Sequence, residues 1–291
     1  MRSTYIIPGY ILVLMGAFFL SWGGLLIREI ENADIWQVLF WRAFFFSLTL
    51  IFFLLFRYKK QALHIIKKSG YPGIAYGSAM SLGFVAYIIA MTETTVANVL
   101  FIISSQTIWL AIFGYLFLKE KISLKTFFSI ILAMIGITVM IGGSLDTGSL
   151  KGNLIALYIP INFAFLILLI RKFPKIDFVP SLFIAGFLSM VYGFAMSETI
   201  VVSQHDLLTA FLLGSFQHAF GFICITIGAR STPAVTVGLL MLTEALFGPF
   251  WVWLFINEIP PLSVFLGGGI IVIAVIFKTL EQKYSKPSKS I

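Results

Sequence analysis

Charge is scarce in this chain of 291 residues: Asp, Glu, Lys and Arg together make up 11%, against about 25% in an average soluble domain. Hydrophobic residues reach 59%, more than a water-facing fold can hide, which points to a polytopic helical membrane protein. Cysteine is almost missing. The single Cys224 lies in an apolar run, which excludes a disulfide framework and a thiolate metal cluster. Only three histidines occur, none in a His-Glu-x-x-His pattern, so no metal site is expected. There is no Walker sequence and no polar stretch long enough for a nucleotide-binding domain, and no cofactor is expected. A cleavable leader is not expected either: only Arg2 precedes the first apolar run, no small-residue cleavage site follows, and the run is read as a retained span.

What is present is apolar and evenly divided. Windows of about 20 apolar residues fall at 6–27, 35–56, 70–91, 96–118, 124–143, 152–170, 178–200, 207–228, 233–256 and 262–280. Ten spans put both termini on one side. With that side cytoplasmic, 17 of the 20 Lys and Arg residues lie in inside segments, Arg28 and Lys151 lie outside, and Arg42 is within a span. Such a bias over short loops predicts cytoplasmic termini. The net charge of +8 is therefore a topology signal, not a nucleic-acid footprint. The tail, 281–291, reads as a polar basic end that touches anionic lipid.

The ten windows divide into two halves of five. ANVLFIISSQTIWLAIFGYLFLKE (97–120) and AVTVGLLMLTEALFGPFWVWLFINE (234–258) each end in Leu-Phe, two residues, then Glu. Counting back from Glu120 and Glu258, Gln106 corresponds to Glu244. An odd number of spans per half makes such a repeat inverted, as in alternating-access carriers. The expected units are a first repeat at 1–143, an outer linker at 144–151, a second repeat at 152–280 and the tail.

Several motifs agree in order and spacing with one family. SWGG (21–24), FWR (40–42) and the LFLKE ending at Glu120 mark the first half; GARSTPA (228–234), LTEALFGPFWVWLFINEIP (242–260) and GGG (267–269) mark the second. The chain resembles the EamA-type branch of the drug/metabolite transporter superfamily over residues 8–278. Ala245 stands where that family commonly has Pro. The resemblance implies an all-α fold of ten transmembrane helices in two inverted five-helix repeats. It also implies a substrate cavity between the repeats and a bacterial inner-membrane carrier of amino acids or related metabolites.

Glu244 is the one carboxylate in mid-span, roughly 16 Å deep at 1.5 Å per residue. A charge there is expensive and marks a proton, ion or substrate site in most membrane proteins; a structural hydrogen bond to a neighbouring helix is the plainer alternative. His218, midway along the eighth span, exchanges protons near neutral pH and is a second proton-coupling candidate, or an interhelical hydrogen-bond partner. Gln106 is the repeat counterpart of Glu244, and Asn162 lies in the sixth span. Trp22, Trp109 and Trp251, with Tyr87 and Tyr158, have the depth to form an aromatic box, although most aromatics of so Phe-rich a chain pack or face lipid. Arg42 lies roughly 10 Å below the outer surface. It either snorkels out to Asp34 or Glu31 or turns inward to a substrate carboxylate or Glu244. The expected substrate contacts are thus Trp22, Arg42, Tyr87, Gln106, Trp109, Asn162, His218 and Glu244.

The leading expectation is a secondary active transporter of a small metabolite, working as a monomer or homodimer among lipids and without nucleic acid. An efflux carrier for lipophilic or quaternary-ammonium cations is the alternative. A membrane-embedded enzyme or a non-transporting subunit is remote, because intramembrane nucleophiles and metal ligands do not cluster.

Overall fold

The structure, a computed structural model, describes residues 7–94, 96–141, 149–257, 259 and 262–284. Gly142, Gly143, Glu258, most of the expected linker and residues 285–291 of the tail lie outside these. Every regular element among the described residues is helical. In lipid the backbone has no water to bond to, so each segment must satisfy its own N–H and C=O groups. The chain runs α1 (Gly9–Leu20), α2 (Gly23–Arg28), α3 (Ile35–Tyr58), a 3-10 turn (Lys59–Gln61), α4 (Ala62–Glu93), α5 (Val96–Ser104), α6 (Gln106–Leu118) and α7 (Leu124–Ile141). It continues as α8 (Leu150–Lys172), α9 (Ser181–Met196), α10 (Gln204–Phe211), a π segment (Leu212–Ala219), α11 (Phe220–Gly228), α12 (Ala234–Met241), α13 (Thr243–Ile256) and α14 (Leu262–Tyr284). Seven helical stretches are long and apolar enough to cross a membrane, and three shorter apolar ones accompany them at Leu124–Met140, Ser181–Met196 and Leu262–Lys278. Large rings point outward, Phe56 at 87% and Phe128 at 63% exposure, which suits lipid and no other solvent. This is a multi-pass membrane protein.

Four of the windows read as continuous helices are interrupted. The breaks at Ser21–Trp22, Ser105 and Leu242 have a common cause. Ser21 Oγ donates to Phe18 O (2.6 Å), Ser105 Oγ to Ile102 O (2.6 Å) and Thr243 Oγ1 to Leu240 O (2.7 Å). A hydroxyl that bonds back to the preceding turn competes with the main-chain ladder and bends the helix. The backbone tightens there, with Ser105 N bonding Ile102 O and Leu242 N bonding Leu239 O. The fourth interruption is the π segment, a widened turn of a type frequent at functional sites. After the third span's inner approach, Gly70 takes φ +55°, a left-handed conformation that suits glycine. Pro72 follows, in the opening turn of the membrane stretch of α4, where a missing N–H costs nothing.

The helices pair in a definite order. α1 packs on α11, α3 on α9 and on the π segment, α4 on α8 and α9, α6 on α8 and α12, and α7 on α14. The α7–α14 contact is glycine-mediated: a Cβ at Gly136 would stand 2.8 Å from Gly267 O, so the backbones touch directly.

Polar ties hold each end of the bundle. At the lysine- and arginine-rich end, Glu120 Oε1 accepts from Arg171 Nε (3.0 Å) and Nη2 (2.6 Å), while Oε2 accepts from Ala234 N at 2.8 Å. One carboxylate thus joins the ends of α6 and α8 to the start of α12. Tyr58 donates to Asp177 at the same end. At the opposite end Asp206 accepts from the backbone N–H groups of Glu31, Asn32 and Ala33 at 2.8, 3.1 and 3.0 Å. Trp41 Nε1 donates to Ile200 O nearby, at 2.8 Å. Asp34 caps α3 in a capping box with Gln37, which fixes where that helix begins.

Candidate functional site

The Ser21–Trp22 break and the π segment converge on one cluster of polar and aromatic side chains. The break after Leu20 frees the carbonyl of that residue, and Gln217 Nε2 from the π segment donates to it at 3.0 Å. With its amide nitrogen so committed, Gln217 presents Oε1 to His218 Nδ1. The His218 ring stacks edge-on against Phe46 and Phe84 and tilts over Phe222. Three helices and the π segment therefore set one imidazole.

Arg42 does not snorkel. It is 3% exposed, and its guanidinium lies over the Phe84 ring at 5.7 Å, a cation–π distance. The charge of Arg42 acts on Tyr87 and on His218. Tyr87 also experiences Glu244, but Arg42 and Glu244 form no ion pair, contrary to one sequence expectation. Tyr87 is the group that senses both. Glu244 is the second residue of α13, just past the Leu242 break. Tyr87, His218 and Glu244 are each half-buried.

A wall of rings adjoins the π segment through Phe216. Trp22 and Trp251 stack at 4.3 Å with an interplanar angle of 21°. Trp251 Nε1 donates to Ser21 Oγ at 2.9 Å, which locks the stack to the break in the first span. Phe18 meets Trp251 edge-on at 5.5 Å and Phe216 meets Trp22 at 5.7 Å.

The remaining expected contacts lie apart from this cluster or serve packing in it. Gln106 is the buried first residue of α6. Trp109 packs on Phe113 at 6.5 Å and not on the Trp22–Trp251 stack, and Tyr158 is 39% exposed on α8; the expected aromatic box does not assemble. Asn162 donates to Ala79 O at 2.8 Å and clamps α8 to α4. The concave surfaces between α6 and α7, about 400 and 470 Å³ in volume, are lined by groups such as Ile108, Ile131 and Phe127. They are almost wholly apolar, offer little for recognition, and stand apart from the polar cluster. Sequence reading passed over Gln217, Phe84 and Ser21. The signal for Ser21 was its place beside Trp22 in SWGG.

A polar cluster where helices are broken, inside an apolar bundle, is the arrangement found in carriers. The sequence profile of the EamA-like transporter family matches residues 7–142 and 150–280. The chain belongs to that family. A protein named an uncharacterized transporter from Methanothermobacter thermautotrophicus is 26% identical over 210 residues, 66% of this chain and 58% of the relative. The match therefore spans little more than half the length of that relative. Another uncharacterized transporter, from Clostridium kluyveri, is 25% identical over 231 residues, covering 73% of this chain and 72% of the relative. A solved crystal structure superposes with a TM-score of 0.83 at 13% identity, over 95% of this chain and 99% of the other. At that identity the likeness concerns fold alone. The chain shares that family's membrane-spanning helices, and the cluster is its candidate functional site.

Proposed function

We propose that this protein is a secondary active transporter that carries a small metabolite, an amino acid or a related compound, by alternating access. The observation that carries the reading is the presence of Arg42 and Tyr87 on uninterrupted stretches of α3 and α4 together with His218 and Glu244 at helix interruptions in the same bundle. Ionisable groups within a span are expensive, and discontinuous helices are where carriers place their sites.

The same reading includes ten spans in two inverted repeats, 1–143 and 152–280, counting the three shorter apolar helices as crossing. The pairing order supports it. Exchanging each span for its counterpart five later turns the α1–α11 pair into α8–α4, α4–α9 into π segment–α3, and α6–α8 into α13–α1; all are packed pairs. Lys119 and Asn257, equivalent in the repeat register, both end their helices at left-handed φ, +55° and +58°. The charge bias supports cytoplasmic termini, and the family resemblance suggests a bacterial inner membrane.

Glu244 is the proposed proton-coupling group, with His218 as the second candidate. Uptake into proteoliposomes with and without a pH gradient tests this. Wild type should respond to the gradient and Glu244→Gln should not; a Glu244→Gln variant with full gradient-driven uptake sinks the coupling role. Cation efflux is the second reading, favoured by the carboxylate of Glu244 and the stacked indoles.

A further inference from the structure

Two donors inside the candidate site have nothing to donate to. Arg42 Nη2 and Trp22 Nε1 are buried and have no hydrogen-bond acceptor among the described residues. The other buried polar side-chain atoms without a partner among the described residues are hydroxyls, of Ser47, Thr107, Ser181 and Thr236. A hydroxyl can turn its proton either way, so it says little about what is absent. A guanidinium and an indole N–H can only donate. At this depth an unmet donor is costly, because no lipid atom can accept from it.

The two donors flank the same turn. Arg42 and His218 lie against the same Phe84 ring, at 5.7 and 5.0 Å, and His218 is bonded to Gln217. Gln217 in turn holds the carbonyl of Leu20, two residues before Trp22. Among the described residues no acceptor reaches either donor, and Glu244 forms no ion pair with Arg42.

Resting on the transporter reading, we infer that the solute is a carboxylate. Its anionic oxygens bind Arg42, with the Trp22 N–H as a second donor to the same solute, and its apolar body packs against Phe84 and the Trp22–Trp251 stack. A quaternary ammonium compound has no acceptor to offer and would leave both donors unmet. The carboxylate is thus required for binding, and an amino group toward Glu244 is secondary.

Two sets of related probes separate these contributions: leucine, 4-methylpentanoate and isoamylamine; and phenylalanine, 3-phenylpropionate and 2-phenylethylamine. Each set keeps one apolar body and removes the amine or the carboxylate. Thermal stabilisation of the purified full-length protein reads binding, since a ligand of the folded state raises the melting temperature with its affinity. At least one set should stabilise through its acid and amino acid but not through its amine. Arg42→Gln should weaken that binding at least about tenfold and Trp22→Phe about three- to tenfold, as losses of a charged and a neutral hydrogen bond, with Arg42→Lys intermediate. Trp22→Phe keeps the ring and removes only the donor, so it tests the assignment even if Arg42→Gln fails to fold. Stabilisation by amines equal to that by acids, by no acid at all, or unchanged in Trp22→Phe and Arg42→Gln overturns the inference. Proteoliposome flux reads the transporter reading separately. Flux of an amine without any effect of acids leaves transport standing and removes the carboxylate; absence of all flux removes transport itself.

Discussion

Ser21 and Trp251 meet side chain to side chain across 230 positions of sequence, the indole N–H donating to the hydroxyl at 2.9 Å. That hydroxyl donates onward to Phe18 O at 2.6 Å, so one oxygen both opens the first span and fixes a ring of the ninth.

Removal of this oxygen should be felt in two places. Ser21→Ala leaves the Trp251 N–H without an acceptor, costing about 1–2 kcal/mol, and restores a stronger helix through position 21. The expected result is a lower melting temperature in detergent together with altered tryptophan emission. Ser21→Thr keeps the oxygen and should behave like wild type in both measurements.

Glu120 ties three helices at the lysine-rich end, and its side chain and that of Arg171 are 15% and 24% exposed. Glu120→Ala should cost about 2–3 kcal/mol through lost charge-assisted bonds. Glu120→Gln, which retains an acceptor for Ala234 N, should cost less. Denaturation in detergent orders the variants. Exchange of the two charges in one chain, Glu120→Arg with Arg171→Glu, should recover part of the loss.

Asp206 serves three backbone donors at the opposite end. Asp206→Ala strands all three, and the expected loss is about 2–4 kcal/mol. Hydrogen exchange at residues 31–33 should rise sharply in Asp206→Ala and modestly in Asp206→Asn.

The glycine run in α14 should divide by position. A Cβ at Gly267 would stand 2.6 Å from Met140 N, whereas one at Gly269 meets nothing within 4 Å. Gly269→Ala should be neutral or stabilising by up to about 1 kcal/mol, the helix-propensity gain. Gly267→Ala should prise α7 from α14 and lower the melting temperature. Equal effects at the two positions contradict the packing described.

Legibility in the sequence followed chemistry. Arg42 and Glu244 stood out because charge is rare in apolar runs, and both lie in the central cluster. The repeat register aligned Gln106 with Glu244, and these prove to be the first and second residues after two of the helix breaks. The breaks themselves were missed. Ser21, Ser105 and Thr243 are ordinary in composition, and whether a hydroxyl bonds back to its own helix depends on neighbours that only folding supplies. For the same reason Trp22 and Trp251 could be grouped by depth, but nothing in their spacing told that they stack while Trp109 joins Phe113. The absent Arg42–Glu244 pair is the sharpest difference: similar depth suggested they meet, but the guanidinium lies over the Phe84 ring instead.

The back-bonded hydroxyls bear on how such a bundle can deform. A straight helix must rupture main-chain bonds before it can bend, which is prohibitive where nothing replaces them. At Ser21, Ser105 and Thr243 that rupture was completed during folding, and a side-chain oxygen stands in. Flexing at these joints trades one local hydrogen bond for another, so the half-helices can swing as levers on prebuilt pivots while the rest of each rod stays rigid.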